Sequence, residues 1–205
     1  MPNLTGRLRR WLAAAVPGED LLPEELPEYV RSYVYLFGSL TLGSFGCLIA
    51  SGMTLAIFGP GWWHTSTIGH YVNSVHFWSV QAFFFFMVLH LWAQYLMAAW
   101  RRGRRATWVV GAVTFAASIM AAFTGYLSQQ NLDSQWIAVQ GKDALNSTGV
   151  GAFFNLLNFG QMYSIHIAVM PAVLAGLITL HVLLVRRRGL VPPLADDRAK
   201  RGDVR

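Results

Sequence analysis

No Asp, Glu, Lys or Arg occurs between Arg31 and Arg101, although 54% of the chain is hydrophobic and 13% is charged. A hydrocarbon layer about 30 Å thick is crossed by roughly 20 apolar residues in helical conformation. The uncharged run has room for two such crossings, and the remainder of the sequence holds two more. We therefore predict an all-α membrane protein with four transmembrane helices, at about 33–58, 75–100, 107–127 and 163–185.

Basic residues flank the predicted spans and indicate an orientation. Arginines precede the first span, join the second to the third in "RRGRR" at 101–105, and follow the fourth in "RRRG" at 186–189. The loop between the first two spans has no Lys or Arg, and the loop between the last two has only Lys142. By the positive-inside rule, both termini and the central loop are expected in the cytoplasm, in a multi-pass protein of a bacterial plasma membrane. The net charge of +6 then favours contact with anionic lipid over nucleic-acid binding.

The ends of the chain and its single cysteine add little chemistry. Residues 1–31 contain "LTGRLRRWLAAAV", which predicts an amphipathic helix on the cytoplasmic surface, a cleaved signal peptide being the alternative. We expect the four-helix domain over 32–190 and a charged cytoplasmic tail over 191–205. Cys47 lies inside the first span, which excludes a disulfide framework, a C-x-x-C-H haem motif and a zinc cluster. It is interpreted as a small buried core residue.

Two of the predicted spans carry two histidines each. His76 and His90 are fourteen positions apart in the second span. Fourteen helical residues return a side chain to within about 40° of its starting direction, about 21 Å further along. His166 and His181, in the fourth span, are fifteen positions apart, about 60° off register and about 22 Å in axial distance. An imidazole in hydrocarbon costs free energy unless it has a partner, so both pairs need an explanation.

The topology places the four histidines at two depths. The second and fourth spans run in the same direction, so His76 shares an outer level with His166, and His90 shares an inner level with His181. Two opposed imidazoles can supply both axial ligands of a haem lying between helices. We predict two b-type haems, one at each level, about 20 Å apart along the membrane normal. Unligated histidines serving a scaffold or a proton pathway are the alternative.

Glycines on the other two spans repeat the histidine spacing. Gly38 and Gly52 in the first span are fourteen apart, as are Gly111 and Gly125 in the third. The topology puts Gly38 and Gly111 at the inner level and Gly52 and Gly125 at the outer level. A flat porphyrin needs helices without side chains where they cross it, so we predict that these four glycines bind the cofactor.

Three further residues carry smaller expectations. His64 and His70 fall in the outer loop between the first two spans, outside any predicted helix, and are interpreted as ordinary interfacial residues. Pro171 is expected to kink the fourth span between its two histidines.

Together these features resemble the four-helix, di-haem part of cytochrome b, the membrane subunit of quinol–cytochrome c reductase and of its plastid relative, plastoquinol–plastocyanin reductase. The resemblance covers about residues 30–193. It rests on the four glycines and on the motifs "SVHFWS", "LHLW", "TWVVG", "FTGY", "YSIHIAVMP" and "LHVLLVRRRGLVPP". The fifteen-residue step and the short chain are more similar to the plastid form, in which the later helices are a separate polypeptide.

The resemblance implies an electron-transfer subunit that is not catalytic alone. Such a subunit carries electrons across the membrane between the quinol and quinone sites of a bc-type respiratory or photosynthetic complex. The implied partners are quinone, a separate C-terminal cytochrome b subunit, and a Rieske iron–sulfur protein or a cytochrome c, in a dimeric complex. The alternative is a di-haem b-type membrane anchor that links the quinone pool to a different dehydrogenase or reductase.

Several positions depart from the pattern of this family. The Pro-Trp pair that lines the family's outer quinol site is replaced by Gln129 and Gln130. The family's arginines beside the haem propionates are replaced by Phe77, Ala93 and Gln161, so those carboxylates need other donors. No cysteine stands where the plastid protein attaches an additional haem. We expect a changed outer quinol site around an unchanged haem cage.

Overall fold

The computed structural model describes residues 28–193, together with Trp11 and Ala14. Four of its helical segments are long and apolar enough to cross a membrane: Tyr33–Phe58, Thr67–Leu96, Arg105–Leu127 and Phe159–Arg188. The described residues contain no β-strand. The prediction of an all-α protein with four transmembrane helices is therefore confirmed. Most of the predicted N-terminal surface helix, and the tail from residue 194 onward, lie outside the described residues.

The described chain is almost entirely helical. Its α-helices are α1 (Leu36–Phe58), α2 (Pro60–Thr65), α3 (Thr67–Leu96), α4 (Arg105–Leu127), α5 (Leu132–Ser147), α6 (Phe159–Ser164) and α7 (Met170–Arg188). A π-helical turn, Ile165–Val169, joins α6 to α7, so that these three elements form the fourth membrane span. Short 3-10 turns cover Glu28–Arg31, Tyr33–Tyr35 and Val150–Ala152.

The second span begins earlier than its hydropathy indicates. The apolar run starts near residue 75, but α3 starts at Thr67, where the Ser66 hydroxyl caps the helix by accepting a hydrogen bond from the Gly69 amide. The prediction that His70 lies in a loop is therefore wrong: it is an exposed residue of α3, and His64 is an exposed residue of α2. A polar first turn remains helical at a membrane surface because the Ser66 cap and water can satisfy the N–H groups that have no partner within the helix.

The long helices associate as two antiparallel pairs, α1 with α3 and α4 with α7. Gly69 allows α2 to fold tightly against the first turn of α3, because a side chain there would meet the Trp62 carbonyl and the Trp63 backbone. Fewer contacts join one pair to the other. Two membrane histidines lie on α3, in the first helix pair, and two lie on the fourth span, in the second pair. They face one another across the looser seam between the two helix pairs.

The segment between α4 and α6 is a folded cap, where the sequence analysis treats it as a loop. Its helix α5 packs onto the end of α4, and a buried cluster forms from Leu127, Ala138, Leu156 and Met162. Met162 has no exposed surface and lies one helical turn before His166. The cap therefore fixes the start of the fourth span and, with it, the position of His166.

The opposite end of the fourth span is held by side chains from two other elements. The Arg104 guanidinium donates to the carbonyls of Arg188 at 3.0 Å and Leu190 at 3.4 Å, and the Tyr35 hydroxyl donates to the Val191 carbonyl at 2.6 Å. The last carbonyls of a helix have no partner within it, so Arg104 satisfies the carbonyl of the last residue of α7, and the other two bonds hold the segment that follows the helix.

Cys47 is exposed on the surface of α1, which corrects the prediction of a buried core residue. It borders a shallow groove between α1 and α3 together with Gly43, Ser44 and Trp78. The outer face of a membrane helix meets lipid or another chain, so an apolar residue there is not a sign of burial within the protein.

Candidate functional site

Four imidazoles meet in two pairs between the helix pairs. The rings of His76 and His166 have centroids 6.3 Å apart and planes at 87°, and those of His90 and His181 are 6.4 Å apart at 88°. We call these the His76 level and the His90 level. The structure thus brings together the two pairs that the topology predicts, and within each pair the rings stand nearly perpendicular.

The π-turn explains how a fifteen-residue step in one span matches a fourteen-residue step in the other. Within Ile165–Val169 the hydrogen bonds reach five residues back, as from the Met170 amide to the Ile165 carbonyl. Such a turn accommodates one residue more than an α-turn. The remaining fourteen steps to His181 then leave the same offset of about 40° as in α3. Pro171 lies two residues after the turn and cannot donate to a carbonyl four residues back, which disfavours a regular α-helix there.

Hydrogen bonds at Nδ1 set the orientation of the rings. His166 donates from Nδ1 to the Ala121 carbonyl at 3.0 Å, and His181 donates from Nδ1 to the Thr107 carbonyl at 3.1 Å. A carbonyl can only accept, so the proton of each neutral ring lies on Nδ1 and Nε2 keeps its lone pair. The Nδ1 atom of His76 lies 2.9 Å from the Ser51 hydroxyl. Nε2, the nitrogen left free, is the one available to a metal.

Each predicted glycine lies against one of these rings. A Cβ atom built on the glycine would approach the nearest imidazole carbon, Cε1, to 3.2 Å at Gly38, 3.1 Å at Gly52, 3.0 Å at Gly111 and 2.5 Å at Gly125. The contacts are Gly38 with His90, Gly52 with His76, Gly111 with His181 and Gly125 with His166. The glycines therefore make room first for the imidazoles, whereas the sequence analysis assigns that room to the porphyrin. By contrast, nothing lies within 4 Å of the same position at Gly43, Gly46 or Gly176.

The spacing of the rings fits a metal held between them. Metal to imidazole-nitrogen bonds of about 2.0–2.1 Å, extended by roughly 1.1 Å to each ring centre, place two opposed rings about 6.3 Å apart. The observed separations are 6.3 Å and 6.4 Å. Among residues 28–193, no three His, Cys, Asp or Glu side chains are grouped to hold a metal ion by themselves. Pairs of this kind suit a haem iron, whose macrocycle supplies its other four ligands.

Buried polar atoms without partners surround both levels. In the described chain these are Trp63 Nε1, His90 Nδ1, Thr107 Oγ1 and Tyr163 Oη. The Trp63 and Tyr163 rings lie 6.2 Å apart, and Tyr163 is one turn before His166. A buried donor without an acceptor is costly, so a group that brings acceptors to this seam would offset that cost.

Of the residues that depart from the family pattern, the three glutamines make hydrogen bonds within the chain. The side-chain amides of Gln129 and Asn73 bond each other reciprocally at 3.1 Å and 3.2 Å, which ties the end of α4 to α3. Gln130 stands at a φ of 58° and donates weakly to the Leu127 carbonyl at 3.5 Å. Gln161 accepts from the Asn155 amide at 2.8 Å, so its amide holds the cap. Phe77 is half exposed and Ala93 is partly buried, and neither provides a polar group.

The groups that hold the rings were not predicted from the sequence. Ser51 directly precedes Gly52, and its position beside a site glycine is a pattern that could have identified it. The carbonyls of Ala121 and Thr107 each lie four residues before a site glycine of α4, Gly125 and Gly111. Backbone acceptors leave no trace in residue type, so only the structure reveals these two.

Comparison with known proteins links the arrangement to one family. Residues 81–204, more than half of the chain, match the sequence profile described as cytochrome b(N-terminal)/b6/petB. The chain is 26% identical over 211 residues to cytochrome b6 of Heliobacterium modesticaldum, covering 90% of this chain and 99% of that protein. It is also 26% identical to the menaquinol:cytochrome c reductase cytochrome b subunit of Geobacillus thermodenitrificans, over 85% of this chain and 91% of that subunit.

A solved structure shares the fold. One chain of the structure titled "Hyperthermophilic respiratory Complex III" superposes with a TM-score of 0.70 at 21% identity. The match covers 90% of this chain and 53% of the other, so the present chain spans about half the length of that neighbour.

Proposed function

Since this chain belongs to the cytochrome b(N-terminal)/b6 family, whose cofactor is b-type haem, we propose that it holds two haems. One would lie between His76 and His166 and the other between His90 and His181. The observation that carries the proposal is the repeated ring separation of 6.3 Å and 6.4 Å at two levels. One such pair is a common aromatic contact, but two with the same spacing and the same perpendicular arrangement favour a shared purpose.

The chain's own residues would hold each group by its axial positions. The Nδ1 hydrogen bonds of His166 and His181 keep Nε2 unprotonated and aimed into the seam. The site glycines let α1 and α4 approach the rings closely enough to restrain them. Because both axial positions would be taken by imidazole, no position is left for oxygen or substrate, which suits electron transfer.

Two buried donors replace the family's arginines in this proposal. The Trp63 indole N–H and the Tyr163 hydroxyl lack hydrogen-bond partners, their rings lie 6.2 Å apart, and Tyr163 is one helical turn before His166. Carboxylates of a haem at the His76 level would supply those acceptors. Neutral donors neutralise less charge than a guanidinium does, so the cofactor's carboxylates would stabilise its oxidised form more strongly here.

When bound, haem supplies one-electron redox chemistry, and the protein sets where the electron can go. The two levels are separated by fourteen helical residues, about 21 Å. We therefore propose that the chain carries electrons across the membrane between quinol and quinone sites in a bc-type complex. The relatives named for cytochrome b6 and for menaquinol:cytochrome c reductase support this assignment. A separate C-terminal cytochrome b subunit and a Rieske protein or cytochrome c would complete a dimeric complex.

The orientation follows from the arginines at one end of the bundle. Arg104 and the exposed Arg186, Arg187 and Arg188 lie at the end nearer the His90 level. We propose that this end faces the bacterial cytoplasm, by the positive-inside rule. A reporter that is active only in the cytoplasm should then be active when fused to the C-terminus, and a reporter that is active only outside the cytoplasm should be inactive there.

A second candidate is a di-haem anchor for a different dehydrogenase or reductase. The observation that favours it is the reciprocal amide pair of Asn73 and Gln129 at the end of α4, where the family carries its outer quinol site. Spectral reduction of the purified complex by a quinol analogue, with and without cytochrome c as acceptor, separates the two functions.

The haem assignment is tested by counting cofactors in the purified complex. We expect two b-type haems per chain by pyridine haemochrome analysis, and one in each of the variants His76→Leu and His181→Leu. The variant His70→Leu is the matched control, because His70 is an exposed residue of the same helix as His76. It should keep both haems. Two haems in the His76 variant, or none in the unmodified complex, would refute the assignment.

A further inference from the structure

The hydrogen bonds to the histidines follow the fourteen-residue repeat on one side of the seam. On α4, the Ala121 carbonyl accepts from His166 at 3.0 Å and the Thr107 carbonyl accepts from His181 at 3.1 Å. These two acceptors are themselves fourteen residues apart, and each precedes its glycine by four. The two rings of the fourth span therefore share a backbone acceptor of the same kind at both levels, and His166 Nδ1 also lies 3.4 Å from the Thr124 hydroxyl.

On the other side of the seam the repeat is broken. The Ser51 hydroxyl lies 2.9 Å from His76 Nδ1 and 2.6 Å from the Cys47 carbonyl. Its single proton goes to the carbonyl, since a carbonyl can only accept, so its lone pair faces the ring and His76 donates from Nδ1. Ser51 is 8% exposed, which shelters this bond from solvent.

His90 has no such acceptor within the described chain. Its Nδ1 atom is buried and unpartnered. The residue before Gly38, corresponding to Ser51 before Gly52, is Phe37, which offers no acceptor. The carbonyl four residues before Gly38 belongs to Val34, which lies in the 3-10 turn Tyr33–Tyr35 outside α1. At the His90 level the hydroxyl acceptor is therefore missing because Phe37 has no polar group, and the regular α-helix begins at Leu36, after Val34.

We propose that Ser51 is a positioning residue that makes the His76 imidazole a more basic ligand to the haem iron than His90. Ser51 thereby contributes to the difference between the redox potentials of the two haems. An imidazole whose N–H is hydrogen-bonded is a more basic ligand and stabilises the oxidised metal. The Ser51 hydrogen bond should therefore lower the midpoint potential of the His76-level haem relative to the same haem without it. This inference rests on the proposed function, because it requires a haem at each level.

The proposal is tested by redox titration of the b-haem absorbance in the purified complex. Ser51→Ala should shift the midpoint potential of the His76-level haem upward and leave the other unchanged, with two haems per chain. Ser51→Thr keeps a hydroxyl and should restore the original value. Ser44→Ala is the matched control: Ser44 also donates to a carbonyl four residues back on α1, at 2.9 Å, but contacts no imidazole.

The reciprocal variant tests the other level. Phe37→Ser places a hydroxyl at the position that corresponds to Ser51, and it should lower the midpoint potential of the His90-level haem. Repeating the Ser51→Ala titration in a His181→Leu background, where only the His76-level haem is expected, assigns the shifted component.

Two results would overturn the proposal. One is a Ser51→Ala titration that matches Ser44→Ala, and the other is a shift of both haems by the same amount. Either can occur with two haems still present, which leaves the proposed function standing. A complex without two b-type haems would instead remove the proposed function itself.

Discussion

Replacing Gly125 by alanine is the most demanding test of the close packing around the histidines. A Cβ atom at this position would lie 2.5 Å from Cε1 of His166 and 2.9 Å from its Nε2. Carbon atoms in favourable contact are about 3.5–4.0 Å apart, so the ring would have to move by roughly 1 Å. A movement of this size would also break the 3.0 Å hydrogen bond from Nδ1 to the Ala121 carbonyl.

The expected cost of Gly125→Ala can be estimated from these two effects. Overpacking costs about 1–3 kcal/mol and a lost hydrogen bond about 0.5–1.5 kcal/mol, together about 1.5–4.5 kcal/mol. Since 1.4 kcal/mol corresponds to a factor of ten, haem retention at the His76 level should fall by roughly 10-fold to 1,500-fold. Gly52→Ala should have a smaller effect, because its nearest ring atom is 3.1 Å away.

The assay is the haem count per chain during dilution of the purified complex into apomyoglobin, which captures released haem. Gly43→Ala and Gly46→Ala are the controls, since nothing lies within 4 Å of their Cβ positions and alanine favours a helix by about 1 kcal/mol over glycine. Equal haem retention in Gly125→Ala and Gly43→Ala would refute the close-packing explanation.

Three further predictions concern other parts of the bundle. Arg104→Gln removes the donors to the end of α7 and should lower the thermal stability of the complex by about 1 kcal/mol, measured by differential scanning fluorimetry; an unchanged melting temperature would contradict this role. Deleting Ala168 removes the extra residue of the π-turn, so both haems should be preserved. Deleting Leu177 rotates His181 by about 100°, so one haem should be lost. Equal haem counts in the two variants would refute the register explanation. Tyr163→Phe should destabilise the haem-loaded protein more than the exposed control Tyr71→Phe, as judged by thermal melts; identical melts would exclude Tyr163 as a donor to the cofactor.

Much of the fold could be predicted because a membrane simplifies the problem. The four spans were predictable from hydropathy and charge, and the pairing of His76 with His166 from helical period and topology. The start of α3 at Thr67 was not, because polar residues can continue a helix at the membrane surface. The exposure of Cys47 was not either, because an apolar residue in a membrane helix is compatible with either a lipid-facing or a buried position.

In the candidate site, too, some features could be predicted from the sequence and others only from the tertiary structure. The spacing of Gly125 and its three counterparts predicted that these glycines make room for the cofactor, but the structure shows that imidazoles occupy the space beside them. The fifteen-residue step in the fourth span suggested a mismatch that the π-turn removes. Ser51 is one of several hydroxyl residues in the first span, and only the tertiary structure places its oxygen 2.9 Å from His76 Nδ1.

Hydropathy, charge and helical period are properties of neighbouring residues, so the sequence by itself determined the number of spans and the depth of each histidine. Which atoms meet across the seam depends on how four helices rotate, bend and pack against one another. The tertiary structure alone therefore decided that His76 has a hydroxyl acceptor while His90 has none. Ser51 reaches its ring because α1 packs Gly52 against His76, whereas the corresponding residue at the His90 level is Phe37 and α1 begins at Leu36.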